Sequence, residues 1–171
     1  KITGGEFRGR KICTPGGNTH PMGERERLAL FNMIGTKIDG AKILDAFAGS
    51  GALGIEALSR GASEVVFVDD SAVATKTIKE NLTTLGIEDK ITVLKSKVGR
   101  ISDDFRNFGV ILVDPPYDDF RITEVDELLD RLEPDGILVL SHPGEAPDLQ
   151  GVELTKTRAY AGAHISIYSK D

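Results

Sequence analysis

Four consecutive residues, Asp114-Pro115-Pro116-Tyr117, place a carboxylate, two prolines and an aromatic ring directly after an apolar run. Proline has no backbone N–H and keeps its predecessor extended, so the middle of this segment is stiff and can only accept hydrogen bonds. The Asp114 carboxylate and the Pro115 carbonyl could accept both hydrogens of an amine on an aromatic base, which would turn the amine lone pair toward an electrophile. Tyr117 offers a flat face on which that base could stack. The four residues also suit a plain turn after a strand, so alone they leave both interpretations open.

A glycine-containing segment runs from Leu44 to Gly54 with the sequence LDAFAGSGALG. Gly49 and Gly51 allow a tight turn and close approach of a ligand, and the following helix would present free N–H groups. The spacing also satisfies G-x-G-x-x-G, which is equally typical of a dinucleotide site. Asp45 favours a different cofactor, because a carboxylate there would repel a pyrophosphate but attract the ammonium of a methionine moiety. The segment therefore predicts a site for S-adenosylmethionine.

Asp69 ends the second predicted strand, about 20 residues after the glycine segment. An acidic side chain at that point can accept hydrogen bonds from both ribose hydroxyls, whichever cofactor is bound. The alternative is that Asp69 and Asp70 merely begin the next helix, with Asp70 or Ser71 as its N-cap. We interpret Asp69 as the ribose acceptor and Asp70 as part of the helix start.

These residues need a sheet that brings strand ends together, and the hydrophobic pattern predicts one. Apolar runs alternate with helical patterns, which is typical of a parallel sheet with helices on both faces. The predicted strands are Lys42–Leu44, Glu64–Val68, Thr92–Leu94, Gly109–Val113 and Ile137–Ser141, then Val152–Thr157 and Ile165–Ser169 as a terminal antiparallel hairpin. The fold class is therefore α/β, a Rossmann-like, doubly wound and mostly parallel sheet of about seven strands. Ligands bind such sheets at the carboxyl edge, where Asp114 would lie.

Helices are predicted between the strands and ahead of them. The predicted ranges are Glu24–Ile34, Ala52–Ser59, Ala72–Leu85 with Gly86 as its C-cap, Ser102–Phe105 and Thr123–Leu132. Leu28 and Phe31 are expected on the buried stripe of the first helix. A turn is predicted at Pro134-Asp135-Gly136, and residues 1–13 are expected to form a small β-hairpin.

Composition sets the class of protein. A chain of 171 residues with one cysteine, Cys13, is expected to hold one catalytic domain without an internal disulfide or a cysteine-built zinc site. With no apolar run of membrane-spanning length and no signal pattern, we expect a cytoplasmic protein. Residues 1–42 carry eight Lys/Arg against four Asp/Glu, a net charge of +4. Because the whole chain has a net charge of −6, residues 43–171 carry −10. The basic front segment could contact a polyanion, or its side chains could simply be solvated.

Four segments together resemble one known family. GGEFRGRKI at residues 4–12, ERLALFNMI at 26–34, the stretch LDAFAGSGALGIEALSRGA at 44–62 and DPPY at 114–117 resemble the RsmD family. The members of that family are bacterial methyltransferases that act on guanine N2 of small-subunit ribosomal RNA. The glycine turn and the tetrapeptide are shared by many amine methyltransferases, and the front segment is the more specific part.

The resemblance implies a role for particular residues. It implies Asp45, Phe47, Gly49 and Gly51 for the methionine part, with Ser50 in the same turn, and Asp69 for the ribose. It implies that Asp114, Pro115, Pro116 and Tyr117 carry catalysis. Arg8, Arg10 and Lys11 would contact RNA phosphates, and we place Arg25 in the same group.

Two segments depart from the family pattern. His20-Pro21-Met22 stands where the family usually has Arg-Pro-Thr, at a loop that could contact cofactor or RNA. Lys95-Ser96-Lys97 offers no acidic residue after the third strand, where the family usually has one near the adenine. Adenine recognition is then expected to rest on backbone groups, with Val98 as an apolar lid.

The residues predict methylation of an amine on a base, and the resemblance implies that it is guanine N2 in small-subunit (16S) ribosomal RNA, with S-adenosylmethionine as donor, S-adenosylhomocysteine as product and no metal. A DNA or RNA adenine-N6 methyltransferase is the alternative enzyme, and a non-catalytic nucleotide- or RNA-binding module is the alternative of another class. The expected partner is small-subunit RNA or a partly assembled 30S subunit, the protein is expected to be a monomer, and no membrane is involved. Residues 1–40 are predicted to be an RNA-facing extension of a methyltransferase domain at 41–171.

Overall fold

The computed structural model describes residues 1–16, 22–119, 121–160 and 162–171. Seven strands form one sheet in the order β3-β2-β1-β4-β5-β7-β6. The strands are β1 (Lys42–Ala46), β2 (Glu64–Asp69), β3 (Ile91–Lys95), β4 (Phe108–Val113), β5 (Leu132–His142), β6 (Glu153–Tyr160) and β7 (Ala163–Ser169). The helices are α1 (Glu24–Ile34), α2 (Ala52–Ser59), α3 (Ala72–Leu85) and α4 (Ile122–Leu129), with short 3₁₀ turns at Gly35–Ile38, Val98–Arg100 and Tyr117–Asp119.

The sheet is parallel from β3 across to β5 and antiparallel at β7 and β6. From β1 the chain moves outward through β2 to β3, and it then returns to the other side of β1 as β4. The point where the strand order reverses lies between β1 and β4, and this is where open α/β sheets form a ligand crevice. The predicted fold class is confirmed.

The core lies on both faces of the sheet. Alternate residues of a strand point to opposite faces, so β1 sends Ile43 to one face and Leu44 to the other. The first face packs under α1, α2 and α3, with Phe31, Ile55 and Ile78 among its buried side chains. The second face packs against α4. Because the central strands are buried on both sides, their sequences read as continuous apolar runs.

The helix ends follow the expected local chemistry. Ser71 is the N-cap of α3, and its side chain accepts a hydrogen bond from Ala74 N. Gly86 ends the same helix in the left-handed conformation, with φ of 71°. Leu28 is 41% exposed, so its predicted place on the buried stripe of α1 is wrong, whereas Phe31 is buried as expected. Among the residues that the structure describes, no helix is long and apolar enough to cross a membrane.

The N-terminal segment differs from the predicted β-hairpin. Ile2 N–H donates to Arg10 O and Gly9 N–H donates to Ile2 O, but no strand precedes β1 within the described ranges. The reason is that polar groups of this segment form hydrogen bonds with a side chain of α2 instead of pairing with each other as strands. The Glu56 carboxylate, which is fully buried, accepts hydrogen bonds from Thr3 N, Thr3 Oγ1 and Gly4 N and forms ion pairs with Arg27 and Arg60.

A second difference concerns the segment at 102–105, which was predicted to be helical and forms a turn. The Arg131 guanidinium donates hydrogen bonds to the carbonyls of Ile101, Ser102 and Phe105. Carbonyls held by a distant side chain in this way do not continue as a helical ladder. The predicted helix Thr123–Leu132 also ends earlier, at Leu129, because Leu132 already belongs to β5.

The predicted turn at Pro134-Asp135-Gly136 is an irregularity inside β5. The partner of Phe108 is Leu132 and the partner of Val110 is Ile137, so β5 holds extra residues at this point. Asp135 has φ of 64°, and the segment remains in the sheet because Asp135 N–H donates to Lys170 O and Lys170 N–H donates to Gly136 O. The backbone of Lys170 therefore holds the predicted turn in the sheet, where it forms a bulged part of β5.

Candidate active site

The carboxyl ends of β1 and β4 lie side by side. Ala46 is paired with Val113, so Phe47 and Asp114 are the next residues on the two strands. By the alternation of side chains, Asp45 and Asp114 belong to the face that packs under α2. The charge of Asp114 contributes to raising the pKa of Asp45, after burial, which indicates that the two carboxyls are electrostatic neighbours. The glycine turn and the tetrapeptide thus meet at the point where the strand order reverses.

The glycine turn adopts the conformation for which glycine is suited. Gly49 has φ of 56° and Gly51 has φ of 82°, and Phe47 shares the left-handed region with φ of 56°. A Cβ added to Gly49 would have no neighbour within 4 Å, so this residue borders open space. At Gly54 a Cβ would lie 2.4 Å from a ring carbon of Phe67, so this third glycine allows α2 to pack closely on β2. The first glycine therefore borders open space and the third serves packing.

Asp69 is partly exposed at the end of β2, and both of its carboxylate oxygens accept backbone hydrogen bonds. Oδ2 accepts from Gly49 N at 2.9 Å, and Oδ1 accepts from Ser71 N at 2.9 Å. A carboxylate oxygen has a second lone pair, so these bonds leave room for ribose hydroxyls. Asp69 therefore links the glycine turn to the start of α3 while it remains beside the crevice.

Asp45 is almost completely buried, with an exposure of 1%. Its Oδ2 accepts a hydrogen bond from Gly54 N at 2.9 Å, so it satisfies a free N–H in the first turn of α2. Burial raises the pKa of Asp45 well above the usual value, the Gly54 hydrogen bond lowers it, and the charges of Asp114 and Asp69 raise it further. A cation bound beside this carboxyl would offset these unfavourable interactions.

Asp114 is the carboxyl of the tetrapeptide. Burial raises its pKa to about 6, and a hydrogen bond from the Ser141 hydroxyl opposes the rise. Pro115 is buried, Pro116 is exposed and Tyr117 is 39% exposed. The carboxyl is therefore desolvated at the edge of a crevice, while a ring beside it remains accessible.

Ser141 was not among the predicted site residues. It is 3% exposed, and its Oγ lies 2.5 Å from the phenol oxygen of Tyr117. Because Val113 is paired with Leu140, the residues that follow are Asp114 and Ser141 on adjacent strands. The pairing of β4 with β5 could have identified this serine, but a lone serine at a strand end carries no sequence signal.

Ser50 and Val98, two further predicted cofactor residues, are both buried. Ser50 is 5% exposed, its carbonyl accepts a hydrogen bond from Asn81 at 2.9 Å, and its hydroxyl accepts one from Ala52 N at 3.2 Å. Val98 is 5% exposed and packs in the core on the α4 side. Ser96 N donates to Asp69 O, so the Lys95–Lys97 segment follows β2 closely. His20 and Pro21 lie outside the described residues.

The predicted RNA contacts lie on the N-terminal surface. Arg8, Arg10, Lys11 and Arg25 are all exposed. Arg8 and Arg25 line an open groove of about 400 Å³, together with residues 1–3, Gly9, Glu24 and Leu28. Arg27 belongs to the same basic segment but is 4% exposed and paired with Glu56, so it is not available to a polyanion.

The structure therefore separates the predicted residues into two groups. Asp45, Gly49, Asp69 and the Asp114–Tyr117 segment meet at the carboxyl edge of the sheet. The four exposed basic residues lie on the N-terminal segment and α1. The first group has acceptors, a glycine turn and an aromatic ring, which suits transfer of a methyl group to a base amine.

Comparisons with known proteins show which family the chain resembles. The family model described as Conserved hypothetical protein 95 matches residues 1–169. The Bacillus subtilis protein YlbH is 35% identical over 181 residues, which cover 99% of this chain and 98% of that protein. The Ribosomal RNA small subunit methyltransferase D of Escherichia coli K12 is 38% identical over 140 residues, which cover 81% of this chain and 69% of that protein. The solved structure of the Escherichia coli protein yhhF has a TM-score of 0.90 and 28% identity, with coverage of 100% of this chain and 97% of that one.

Proposed function

The chain belongs to the family described as Conserved hypothetical protein 95, the RsmD family of methyltransferases, and on that premise we propose that it methylates guanine N2 in small-subunit ribosomal RNA. The relative from Escherichia coli K12 that is named a small subunit methyltransferase supports the choice of RNA. The observation that carries the proposal is the desolvated Asp114 carboxyl, followed by two prolines, beside the glycine turn of β1.

The residues around the glycine turn fit S-adenosylmethionine. Gly49 borders open space, and a bulkier residue there would be strained by its φ of 56°. In our proposal Asp45 pairs with the ammonium of the methionine moiety, and Asp69 accepts hydrogen bonds from the ribose. The backbone of Phe47, Ser50 and Gly51 forms the wall of the binding site. Val98 borders the adenine. S-adenosylmethionine, when bound, supplies an electrophilic methyl group.

Asp114 and Pro115 act on the amine of the base. The amine has two hydrogens, and the Asp114 carboxylate and the Pro115 carbonyl each accept one, which fixes the direction of the lone pair. As the new N–C bond forms, the bond between the methyl carbon and the sulfonium sulfur breaks and S-adenosylhomocysteine leaves. Positive charge develops on nitrogen, and the negative charge of Asp114 stabilises it. The proton that nitrogen then loses passes to Asp114 or to water.

Tyr117 and Ser141 hold the base and the acceptor in place. The exposed part of the Tyr117 ring provides a stacking surface, while its phenol group bonds to the buried hydroxyl of Ser141. The same hydroxyl bonds to Asp114, so the stacking ring and the acceptor share one anchor. This arrangement supports catalysis on a base that has left its stack.

Arg8, Arg10, Lys11 and Arg25 would contact the phosphates of RNA. All four are exposed, and the groove between Arg8 and Arg25 gives the backbone of a nucleic acid a place to lie. Contacts of this kind position RNA without reading its sequence, so they strengthen binding of any RNA. Their contribution to the affinity falls as the salt concentration rises. The proposal includes an RNA-facing role for residues 1–40, a monomer in the cytoplasm, and small-subunit RNA or a partly assembled 30S subunit as the substrate.

The test is methyl transfer from S-adenosylmethionine labelled on the methyl group. The acceptors are protein-free small-subunit RNA and 30S subunits, both from a strain in which the gene for this protein is deleted, and duplex DNA is the control. We expect label in at least one of the two RNA acceptors and N2-methylguanosine after digestion to nucleosides. N6-methyladenosine would instead establish the alternative enzyme, and label in DNA alone would refute the RNA substrate.

A further inference from the structure

A buried amide in α3 connects two segments that are far apart in the sequence. Asn81 is 3% exposed. Its Oδ1 accepts a hydrogen bond from Cys13 N at 2.7 Å, and its Nδ2 donates to Cys13 O at 2.8 Å and to Ser50 O at 2.9 Å. Both amide hydrogens are used, so the orientation of the side chain is fixed from two sides.

The two segments belong to different parts of the proposed function. Ser50 lies in the glycine turn, whereas Cys13 follows the exposed Arg10 and Lys11 of the N-terminal segment. Arg10 gives the same segment a second contact with α3, because its guanidinium donates to Thr84 O at 3.2 Å. A single side chain therefore bonds to the backbone of the cofactor turn and to that of the basic segment.

We infer that Asn81 is a positioning residue that couples RNA binding to methyl-donor binding, by holding the basic segment at Cys13 and the glycine turn at Ser50 in one fixed arrangement. This inference rests on the proposed function. A ligand that orders the glycine turn also holds the amide and through it Cys13, so the basic segment is partly ordered before RNA arrives. Linkage requires the reverse as well, and bound RNA strengthens binding of the methyl donor by the same factor.

The same helix supplies a matched control. Thr77 is 8% exposed and its hydroxyl donates to Val73 O at 2.9 Å, which is a bond within α3 itself. Thr77→Val removes that bond and preserves the shape of the side chain, so it changes a hydrogen bond within α3 and leaves the hydrogen bonds to Cys13 and Ser50 in place. Asn81→Leu removes all three hydrogen bonds of the amide at similar volume. Asn81→Asp is the second variant, because it retains an acceptor for Cys13 N and loses both donors.

The first measurement is hydrogen exchange with and without S-adenosylhomocysteine. In the wild type and in Thr77→Val, we expect the added nucleoside to slow exchange in the glycine turn and also at residues 10–16. In Asn81→Leu, or in Asn81→Asp if the leucine variant does not fold, only the glycine turn should be protected. Protection of residues 10–16 that persists in the folded variant, or that is absent from the wild type, would overturn the inference.

The second measurement is the dissociation constant of S-adenosylhomocysteine with and without small-subunit RNA. We expect RNA to tighten binding about fivefold or more in the wild type and in Thr77→Val, and the ratio to fall toward one in the Asn81 variant. An unchanged ratio in that variant contradicts the coupling. Exchange measured with the nucleoside alone does not depend on RNA. An absence of methyl transfer to RNA would therefore refute the proposed function, while the exchange measurement would still test the role of Asn81.

Discussion

The glycine turn after β1 and the tetrapeptide after β4 lie side by side, yet they treat their carboxylates in opposite ways. At the turn, backbone N–H groups of Gly54 and Gly49 donate to Asp45 and Asp69. At the tetrapeptide, the two residues after Asp114 are prolines and have no N–H to donate, and a hydroxyl from β5 serves that carboxyl instead. One strand end is rich in donors, and its neighbour has mainly acceptors.

The difference shows how two adjacent strand ends can have separate roles, one in binding the methyl donor and the other in binding the amine of the base. At the turn, both carboxylates already accept backbone hydrogen bonds before any cofactor arrives. A desolvated carboxyl that has one hydroxyl donor can accept further hydrogens, and the amine of a base has two of them. Substitutions at the two ends should therefore fail in different ways.

The largest effect is expected from Asp114→Ala. Turnover should fall about a hundredfold or more, because the acceptor that directs the lone pair and stabilises the developing charge is removed. Affinity for S-adenosylhomocysteine, measured by calorimetry, should change little. Asp118→Ala is the control, since Asp118 is exposed in the same segment. Wild-type turnover in Asp114→Ala would disprove the catalytic assignment.

A pair of substitutions at Asp45 separates charge from hydrogen bonding. Asp45→Asn keeps an acceptor for Gly54 N and removes the charge, and it should weaken S-adenosylhomocysteine binding about tenfold, as expected for an ionic hydrogen bond. Asp45→Ala removes both and should also lower the melting temperature. Calorimetric titration and thermal unfolding of the two variants provide the measurement. Equal affinity in Asp45→Asn and the wild type would show that Asp45 only anchors α2.

Asp114→Asn should stabilise the protein while it abolishes turnover. The pKa of Asp114 rises from 3.8 to about 6 on folding, so the folded state holds its proton more tightly than the unfolded chain does. Below about pH 4 both states are protonated and the burial costs nothing, whereas above pH 6 the cost is complete, on the order of 2 to 3 kcal/mol. Urea unfolding at pH 7 should show the gain in the variant. If the gain were still present at pH 4, the charge of Asp114 would not be its cause.

The smallest effect is expected from Ser141→Ala. The lost hydroxyl no longer lowers the pKa of Asp114, so the acid limb of kcat/KM against pH, centred near the pKa of about 6 in the wild type, should move to higher pH. Turnover at pH 8 should fall only a few-fold. Ser141→Thr retains a hydroxyl and should keep the wild-type profile. If the pH profile of Ser141→Ala were the same as that of the wild type, Ser141 would have no role in tuning Asp114.

Much of the site follows from sequence because the strands that position it are buried on both faces. The apolar runs before Asp45 and Asp114 identify their strands, and parallel strands present their carboxyl ends at one edge. Ser141 could not be found in this way, since its role depends on the pairing of β5 with β4 rather than on its own neighbours in sequence. Asn81 was missed for the same reason, because its partner Cys13 is 68 positions away.

The errors in the fold share a physical cause, which is competition from distant polar groups. The segment at 102–105 has a helical pattern, but the Arg131 guanidinium takes its carbonyls. The Pro134–Gly136 segment has turn chemistry, but the backbone of Lys170 keeps it in the sheet. Local propensity is a weak prior in such places, because tertiary hydrogen bonds override it.

The buried Glu56 has a consequence for exchanging parts between relatives. Its partners Thr3, Gly4 and Arg27 precede β1, and its fourth partner, Arg60, is the C-cap of α2. A chimera joined at residue 40 would leave this carboxylate dependent on foreign residues, and an unpaired charge in that position is strongly destabilising. A junction placed after Arg60 transfers the whole ionic cluster together, so the front of the chain is inherited as one piece with the first helix of the catalytic fold.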